Sequence, residues 1–150
     1  MRLANVARSL QTCGIMWRSL FRNAVLLALL VLPFGAAHAQ NDVKDRVVQA
    51  IGTGNAAALA ADLMPNVDLT LPDAGAFYSK AQAQQILRKF FEGHAPRGLA
   101  IAHQGNNSLG ETYYIGNLST ANGNFRVTFF LKRAGSAFQV KQLRIENAKP

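Results

Sequence analysis

The sequence predicts a single α+β domain in which helices come first and a run of strands follows. Apolar residues recur at helical spacing up to His94, with one alternating segment at residues 67–71 between the helices. From Arg97 onward the apolar period is two. The dipeptide Asn122-Gly123 lies between two alternating runs, which is typical of a β-hairpin. The predicted order of elements is therefore α-α-β-α-β-β-β-β.

The first elements are short. A helix is predicted over residues 41–51 and a second over residues 56–63, each with apolar side chains on one face. The strand at residues 67–71 alternates apolar with polar side chains, which directs Asp68 away from the core. A turn at residues 72–75 closes this strand.

The third helix has the clearest boundaries. Ser79 and Gln82 form a capping box at its start, and Gly93 ends it. Its apolar face consists of Ala83, Ile86, Leu87, Phe90 and Phe91. We therefore expect this helix to contribute most of the helical side of the core.

Four strands are predicted next, over residues 98–104, 112–120, 124–133 and 137–146. A type I′ turn at Asn122-Gly123 places Ala121 opposite Asn124. The pairs on the inner face are then Thr120 with Phe125, Leu118 with Val127, Gly116 with Phe129, and Tyr114 with Leu131. Because Gly116 offers no side chain, we expect the sheet to bend there.

The outer face of this hairpin is not uniformly polar. It carries Tyr113, Ile115 and Phe130, apolar area that a monomer would leave exposed to water. We expect the protein to form a homodimer through this face.

Two arrangements of the last strand are open. Without interruption, Gln142, Arg144 and Glu146 follow Val140 inward and line a polar cavity. A one-residue bulge near Lys141 instead turns Leu143 and Ile145 inward. Burial of Leu and Ile is favourable whereas burial of an unpaired Arg or Glu is costly, so the bulge is favoured. Because Arg144 and Glu146 can pair with each other, the uninterrupted strand remains an alternative.

The N-terminal segment predicts export. Arginines precede an apolar run from Ala24 to Leu32, and Ala37-His38-Ala39 follows as a signal peptidase site. The run is shorter than the roughly 20 residues that a membrane span requires. We therefore predict a cleaved signal peptide at residues 1–39 and a single domain at residues 40–150, in the periplasm or secreted, with no membrane span after processing.

Removal of the leader changes the charge balance. Four of the sixteen basic residues and none of the eight acidic ones precede Gln40, so the formal net charge falls from +8 to +4. Half of the basic excess that would suggest a nucleic-acid partner thus lies in the discarded segment. We therefore expect no nucleic-acid partner. The only cysteine, Cys13, also lies there, so we expect no disulfide in the mature protein.

Several strings along the mature chain carry a family resemblance. They are QAIGTGNAAALAADLMPNVDLTLP, FYSKAQAQQILRKFF, HQG, YYIGNLSTANGNFRV and QLRIE. Together, over about residues 42–146, they resemble the domain of unknown function 4783 family, small exported bacterial proteins related to the nuclear transport factor 2-like, or cystatin-like, superfold. The resemblance implies a cone, in which a curved antiparallel sheet packs against three helices, often around a cavity. That superfold hosts both enzymes and binding modules, so it does not assign an activity.

His103 is the main candidate for chemistry. It follows Leu99 and Ile101 at period two, so we expect it to point toward the helices, as a base or ligand in a cavity or as a structural ring bonded within the fold. With it, the predicted ligand-binding residues are Tyr114, Gln142, Arg144 and Glu146. The chain offers no carboxylate pair, nucleophile set or metal-ligand spacing, so neither a cofactor nor a metal is expected.

The sequence therefore favours an exported, non-enzymatic module of the cell envelope that binds a small ligand or serves assembly. One alternative is a small-molecule isomerase or lyase that uses a cavity His103. Another is a binder of anionic envelope material through basic residues at one end of the sheet. Those residues are Arg126, Lys132, Arg133, Lys141 and Arg144.

Overall fold

The computed structural model describes residues 35–148, which form three helices and one six-stranded sheet. The helices are α1 (Gly35–Gly52), α2 (Ala56–Ala61) and α3 (Lys80–Gly93). The strands are β1 (Leu63–Leu71), β2 (Ala74–Ser79), β3 (Pro96–Asn106), β4 (Thr112–Thr120), β5 (Gly123–Ala134) and β6 (Ala137–Asn147). This α+β architecture confirms the predicted fold class.

The strand order across the sheet is β2-β1-β6-β5-β4-β3. The antiparallel sheet that the family resemblance implies holds for four of the five strand pairs, and the fifth pair, β1 with β6, is parallel. The junction is made where the Val140 amide donates to the Asp62 carbonyl at 2.8 Å, just before β1 begins.

The helix boundaries follow the predicted capping chemistry. In α3, the Ser79 hydroxyl accepts a hydrogen bond from the Gln82 amide while the Gln82 side chain accepts one from the Ser79 amide, which confirms the capping box. The Asn55 side chain caps α2 by accepting from the Ala58 amide at 3.0 Å. Residues 1–34, which include most of the predicted signal peptide, lie outside the described residues.

Strand β2 is the element that the sequence did not predict. The sequence predicts a turn over residues 72–75 and a helix cap at Ser79 and assigns no element to residues 76–78, because Ala74-Gly75-Ala76 shows no alternation of apolar and polar side chains. In the structure only Pro72 and Asp73 form the turn, and β2 pairs with β1 from Leu71 opposite Ala74 onward. The strand exists through this pairing rather than through its own propensity.

The space between the helices and the sheet is filled by one apolar cluster. Its most deeply buried members come from every layer of the fold, including Ile51 of α1, Leu59 of α2, Leu87 of α3 and Phe129 of β5. No described buried side-chain nitrogen or oxygen lacks a hydrogen-bond partner. The inner face of the sheet therefore serves as a packing surface.

The β4–β5 hairpin has the predicted faces but not the predicted register. Thr120 pairs with Gly123 and Leu118 with Phe125, a shift of two residues that leaves every inner side chain on the inner face. Two interactions select this turn. The Thr120 hydroxyl donates to the Gly123 carbonyl at 2.7 Å, and the Asn122 amide group donates to the Gly93 carbonyl at 2.8 Å. No described non-glycine residue has a positive φ, which is incompatible with the expected type I′ turn.

The predicted bend at Gly116 corresponds to a bulge in the neighbouring strand. Ile101 pairs with Gly116 but His103 pairs with Ile115, so Ala102 is an extra residue in β3. A Cβ on Gly116 would lie 2.7 Å from the Ala100 carbonyl oxygen. The missing side chain thus allows β3 to approach closely and to bulge.

The predicted bulge at Lys141 is confirmed. Phe130 pairs with Gln142 whereas Leu131 pairs with Val140, so Lys141 is the extra residue of β6. Leu143 and Ile145 consequently point inward and are fully buried. The alternative of an uninterrupted polar row inside the cone is therefore wrong.

Candidate functional site

The outer face of the sheet, which points away from the core, carries the candidate functional residues. Along β4, β5 and β6 the buried residues alternate with more exposed ones, and the exposed set defines this face. Two features lie on it: a row that crosses all six strands, and a groove beside that row.

We call the first feature the outer row. Its members are successive cross-strand neighbours, namely Phe77, Asp68, Gln142, Phe130, Tyr113 and Gly105. The rings of Tyr113 and Phe130 are 5.9 Å apart, and the Gln142 amide donates to the Asp68 carboxylate at 2.6 Å. Phe77 is 76% exposed, which is unusual for a phenylalanine. The outer row thus has an exposed aromatic at one edge, a polar pair next to it and an aromatic pair beyond.

The Tyr113 side chain lies directly over Gly105. A Cβ at that glycine would be 2.5 Å from the Tyr113 hydroxyl oxygen and 2.7 Å from its ring carbon Cζ. Any larger residue at position 105 would therefore displace the Tyr113 ring. The absence of a side chain at Gly105 thus leaves room for the Tyr113 ring at this end of the outer row.

We call the second feature the sheet groove. It has a volume of about 740 Å³ and is open to solvent on the outer face. Its polar lining consists of Thr70, His103, Asn117, Arg126, Glu146 and Asn147. Leu71, Pro72, Ala102 and Ile115 supply apolar surface. Five strands or their ends contribute, so no single stretch of sequence describes this groove.

His103 lies on the outer face and not inside the cone, so its predicted orientation is wrong. The extra residue Ala102 reverses the alternation of β3, which leaves Leu99 and Ile101 packed on the core and turns His103 outward. His103 is exposed and lines the sheet groove. It is therefore not a cavity base.

The other predicted ligand-binding residues separate into two sets. Gln142, Arg144 and Glu146 lie on the outer face, as the bulge at Lys141 requires, and Glu146 lines the sheet groove together with His103. Tyr114 lies on the inner face, where its ring stacks on Phe129 at 5.0 Å. The structure therefore brings His103 and Glu146 together and separates both from Tyr114.

Tyr114 is a buried packing residue with one polar contact. Its hydroxyl accepts a hydrogen bond from the Gln40 side chain of α1 at 3.2 Å. This bond satisfies the polar end of an otherwise apolar side chain. The contact ties α1 to the sheet at the residue where the mature chain is predicted to begin.

The predicted dimer residues Tyr113, Ile115 and Phe130 all lie on the outer face, each half-buried. Phe77 extends the same surface to the sheet edge, and sequence reasoning missed it because β2 was not predicted. Arg126 and Asn117 are cross-strand neighbours on the outer face, and no pattern in the sequence places them in a groove. That groove depends on the β3 bulge, which has no local sequence signal.

Glu111 and Lys141 form an ion pair that the sequence did not suggest. The Lys141 ammonium lies 2.7 Å from the Glu111 carboxylate, and the Asn107 amide donates to its other oxygen at 2.9 Å. The Glu111 side chain is only 7% exposed. These hydrogen bonds hold the pKa of Glu111 below its ordinary value, because they favour the charged form more than burial disfavours it.

Within residues 35–148, no group of three or more His, Cys, Asp or Glu side chains is arranged to hold a metal ion. None of the described helices combines the length and the apolar character needed to cross a membrane.

The fold belongs to the nuclear transport factor 2-like, or cystatin-like, class. A nuclear transport factor 2-like protein from Cytophaga hutchinsonii superposes with a TM-score of 0.56 at 13% identity, over 77% of this chain and 100% of that one. A domain of unknown function with a cystatin-like fold from Nostoc punctiforme superposes with a TM-score of 0.61 at 9% identity, over 79% of this chain and 81% of that one. At these identities the likeness concerns the fold alone.

The family is shown by closer matches. The family model described as domain of unknown function (DUF4783) matches residues 44–146, so the chain belongs to the DUF4783 family. A DUF4783 family protein from Bacteroides uniformis superposes with a TM-score of 0.65 at 30% identity, over 71% of this chain and 97% of that one. No curated protein matches the chain.

Proposed function

We propose that this protein is an exported, non-enzymatic assembly module of the cell envelope that forms a homodimer through the outer face of its sheet. The observation that carries the proposal is the outer row, where Phe77, Phe130 and Tyr113 present aromatic surface on a face that the helices do not cover. Aromatic residues are enriched at protein interfaces, where their burial contributes much of the binding free energy.

The composition of the outer row also supports a protein interface. Its polar pair, Gln142 with Asp68, is hydrogen-bonded within the chain, so a partner can cover it without leaving either group unsatisfied. An isologous interface places the same patch on both protomers. The row therefore offers an apolar patch with few unpaired polar groups at its centre.

Phe130→Arg tests the proposal. Static light scattering of the wild-type protein at tens of micromolar is expected to give twice the monomer mass, and the variant is expected to give the monomer mass, because an arginine would place a charge in the apolar patch. Leu109→Arg is the matched control, since Leu109 is 75% exposed in the β3–β4 loop outside the outer row. A wild-type monomer, or a dimer that Phe130→Arg leaves intact, would contradict the proposal.

The alternative of an enzyme with a cavity His103 has lost its central residue, because His103 lies outside the cone. For the alternative of an anionic envelope partner, two of the five basic residues named above are engaged within the chain. Lys141 is paired with Glu111, and the Arg133 side chain donates to the Gly135 carbonyl. An assembly module therefore agrees better with the geometry than either alternative.

A further inference from the structure

The sheet groove holds two opposite charges that are direct neighbours but are not paired. Arg126 of β5 and Glu146 of β6 are cross-strand partners on the outer face. Side chains at such positions start about 5 Å apart, close enough for an ion pair. Among the described residues, however, neither takes part in an ion pair or a side-chain hydrogen bond. Both charges are therefore available to a ligand.

Other polar groups converge on the same groove. Asn117 is the cross-strand neighbour of Arg126 on the side away from Glu146, and the β3 bulge turns His103 into the groove. Bulges that redirect a side chain are frequent next to functional sites. Amide and imidazole groups can each donate a hydrogen bond to a ligand oxygen. The groove thus presents donors around Arg126 and a carboxylate on one side.

Part of the remaining wall is aliphatic. Ile115, Leu71 and Pro72 line the groove, and its volume of about 740 Å³ lies in the range of small-molecule sites. This volume exceeds what one amino acid fills. A guanidinium binds a carboxylate in a bidentate manner, and a carboxylate binds an ammonium group.

We propose that the sheet groove binds a short zwitterionic peptide of dipeptide size with aliphatic side chains. Its C-terminal carboxylate lies on Arg126, its N-terminal ammonium group lies on Glu146, and its side chains pack on Ile115 and the end of β1. Because Arg126 and Glu146 are not paired with each other, a ligand that binds both charges breaks no ion pair between them. The groove lies beside the outer row on the same face of the sheet. All of its lining residues belong to one protomer, so the proposal does not rest on the homodimer.

Leucyl-leucine is the probe. At about 10 mM it is expected to raise the melting temperature of the full chain, because a ligand that binds only the folded state stabilises it. Acetyl-leucyl-leucine, which lacks the ammonium group, and leucyl-leucinamide, which lacks the carboxylate, are expected to give no rise. Each experiment is repeated on Phe130→Arg, so that the loss of the dimer and the loss of the site are distinguished.

Two variants locate the site. Arg126→Gln is expected to weaken leucyl-leucine binding by about tenfold or more in titration calorimetry. Glu146→Gln is expected to abolish the preference for leucyl-leucine over its acetylated form. Arg88→Gln, which removes an exposed arginine on α3, is the matched control and is expected to bind like the wild type. The proposal is overturned if leucyl-leucine does not raise the melting temperature of the wild type, or if both blocked peptides raise it as much as leucyl-leucine does. It is also overturned if Arg126→Gln binds leucyl-leucine as tightly as the wild type.

Discussion

At the scale of single residues, Glu111 connects the β3–β4 loop to strand β6. Its carboxylate binds Lys141, the extra residue of the β6 bulge, and Asn107, which closes the β3–β4 loop. The Asn107 side-chain oxygen in turn accepts from the amides of Leu109 and Glu111. One buried carboxylate therefore connects a bulge and a loop that lie thirty residues apart. Removal of one partner from such a network leaves the other partners unsatisfied.

Glu111→Gln is expected to lower the free energy of unfolding by about 1 to 2 kcal/mol at pH 7, through loss of the charged hydrogen bonds. Because folding lowers the pKa of Glu111, its contribution is complete above the unfolded pKa of about 4.3 and is lost as the pH falls through the folded value. Urea unfolding between about pH 7 and pH 3 should therefore show a smaller acid-induced loss of stability in the variant than in the wild type.

The control for this titration is Glu92→Gln, which removes an exposed carboxylate near the end of α3. It is expected to keep the pH profile of the wild type. If Glu111→Gln and the wild type lose stability in parallel on acidification, the ion pair with Lys141 does not hold the charged form of Glu111 in solution.

At the scale of elements, the close approach of β3 to β4 determines which way His103 points. Gly116→Ala is expected to lower the free energy of unfolding by about 1 to 3 kcal/mol, because the added methyl group meets the Ala100 carbonyl oxygen at 2.7 Å and strand backbone must move. Urea denaturation measures the loss. Gly93→Ala is the matched control, since a Cβ there meets no atom within 4 Å. A Gly116→Ala protein as stable as Gly93→Ala would mean that the strands are not so closely packed.

Elements with local signals were predictable, and those decided by distant contacts were not. The capping box of α3 involves residues three apart, and the Lys141 bulge follows from the cost of burying Arg144 and Glu146. The prediction of the hairpin register was wrong because the Asn122 side chain donates to the Gly93 carbonyl, which lies 29 positions away in the sequence. Strand β2 was not predicted because it is formed by pairing with β1 rather than by a pattern in its own residues.

The candidate site was less predictable than the fold for the same reason. Its faces follow from strand alternation, which holds for Tyr113, Ile115 and Phe130. The sheet groove, however, needs the Ala102 bulge, and that bulge depends on how closely β3 approaches Gly116. A pattern of period two cannot reveal an extra residue whose cause lies on another strand.

At the scale of the whole molecule, the described domain has a packed apolar interior, and its candidate functional residues lie on the outer face of the sheet. The interior binds helices to sheet through apolar side chains, with Tyr114 and Gln40 as one polar contact at its margin. The outer face instead carries aromatic, charged and grooved surface.

The last prediction concerns where the mature chain begins. Helix α1 passes through the predicted cleavage site between Ala39 and Gln40, and the buried residues of α1 in the described core start at Val43. Cleavage there keeps the Gln40 bond to Tyr114 and leaves Asp42 in the first turn of the shortened helix, where negative charge is favourable. The free energy of unfolding of the domain from Gln40 onward, measured in urea, is therefore expected to lie within about 0.5 kcal/mol of that of the full chain.

Intact-mass measurement of the exported protein is expected to give a chain that starts at Gln40. An N-terminus beyond Val43 would remove core side chains, and a species that retains residues 24–39 would mean that the apolar run serves as an anchor. Either outcome contradicts the proposed processing. A Gln40→Ala variant separates the two roles of this residue, because loss of the hydrogen bond to Tyr114 should lower stability by about 1 kcal/mol without moving the cleavage site.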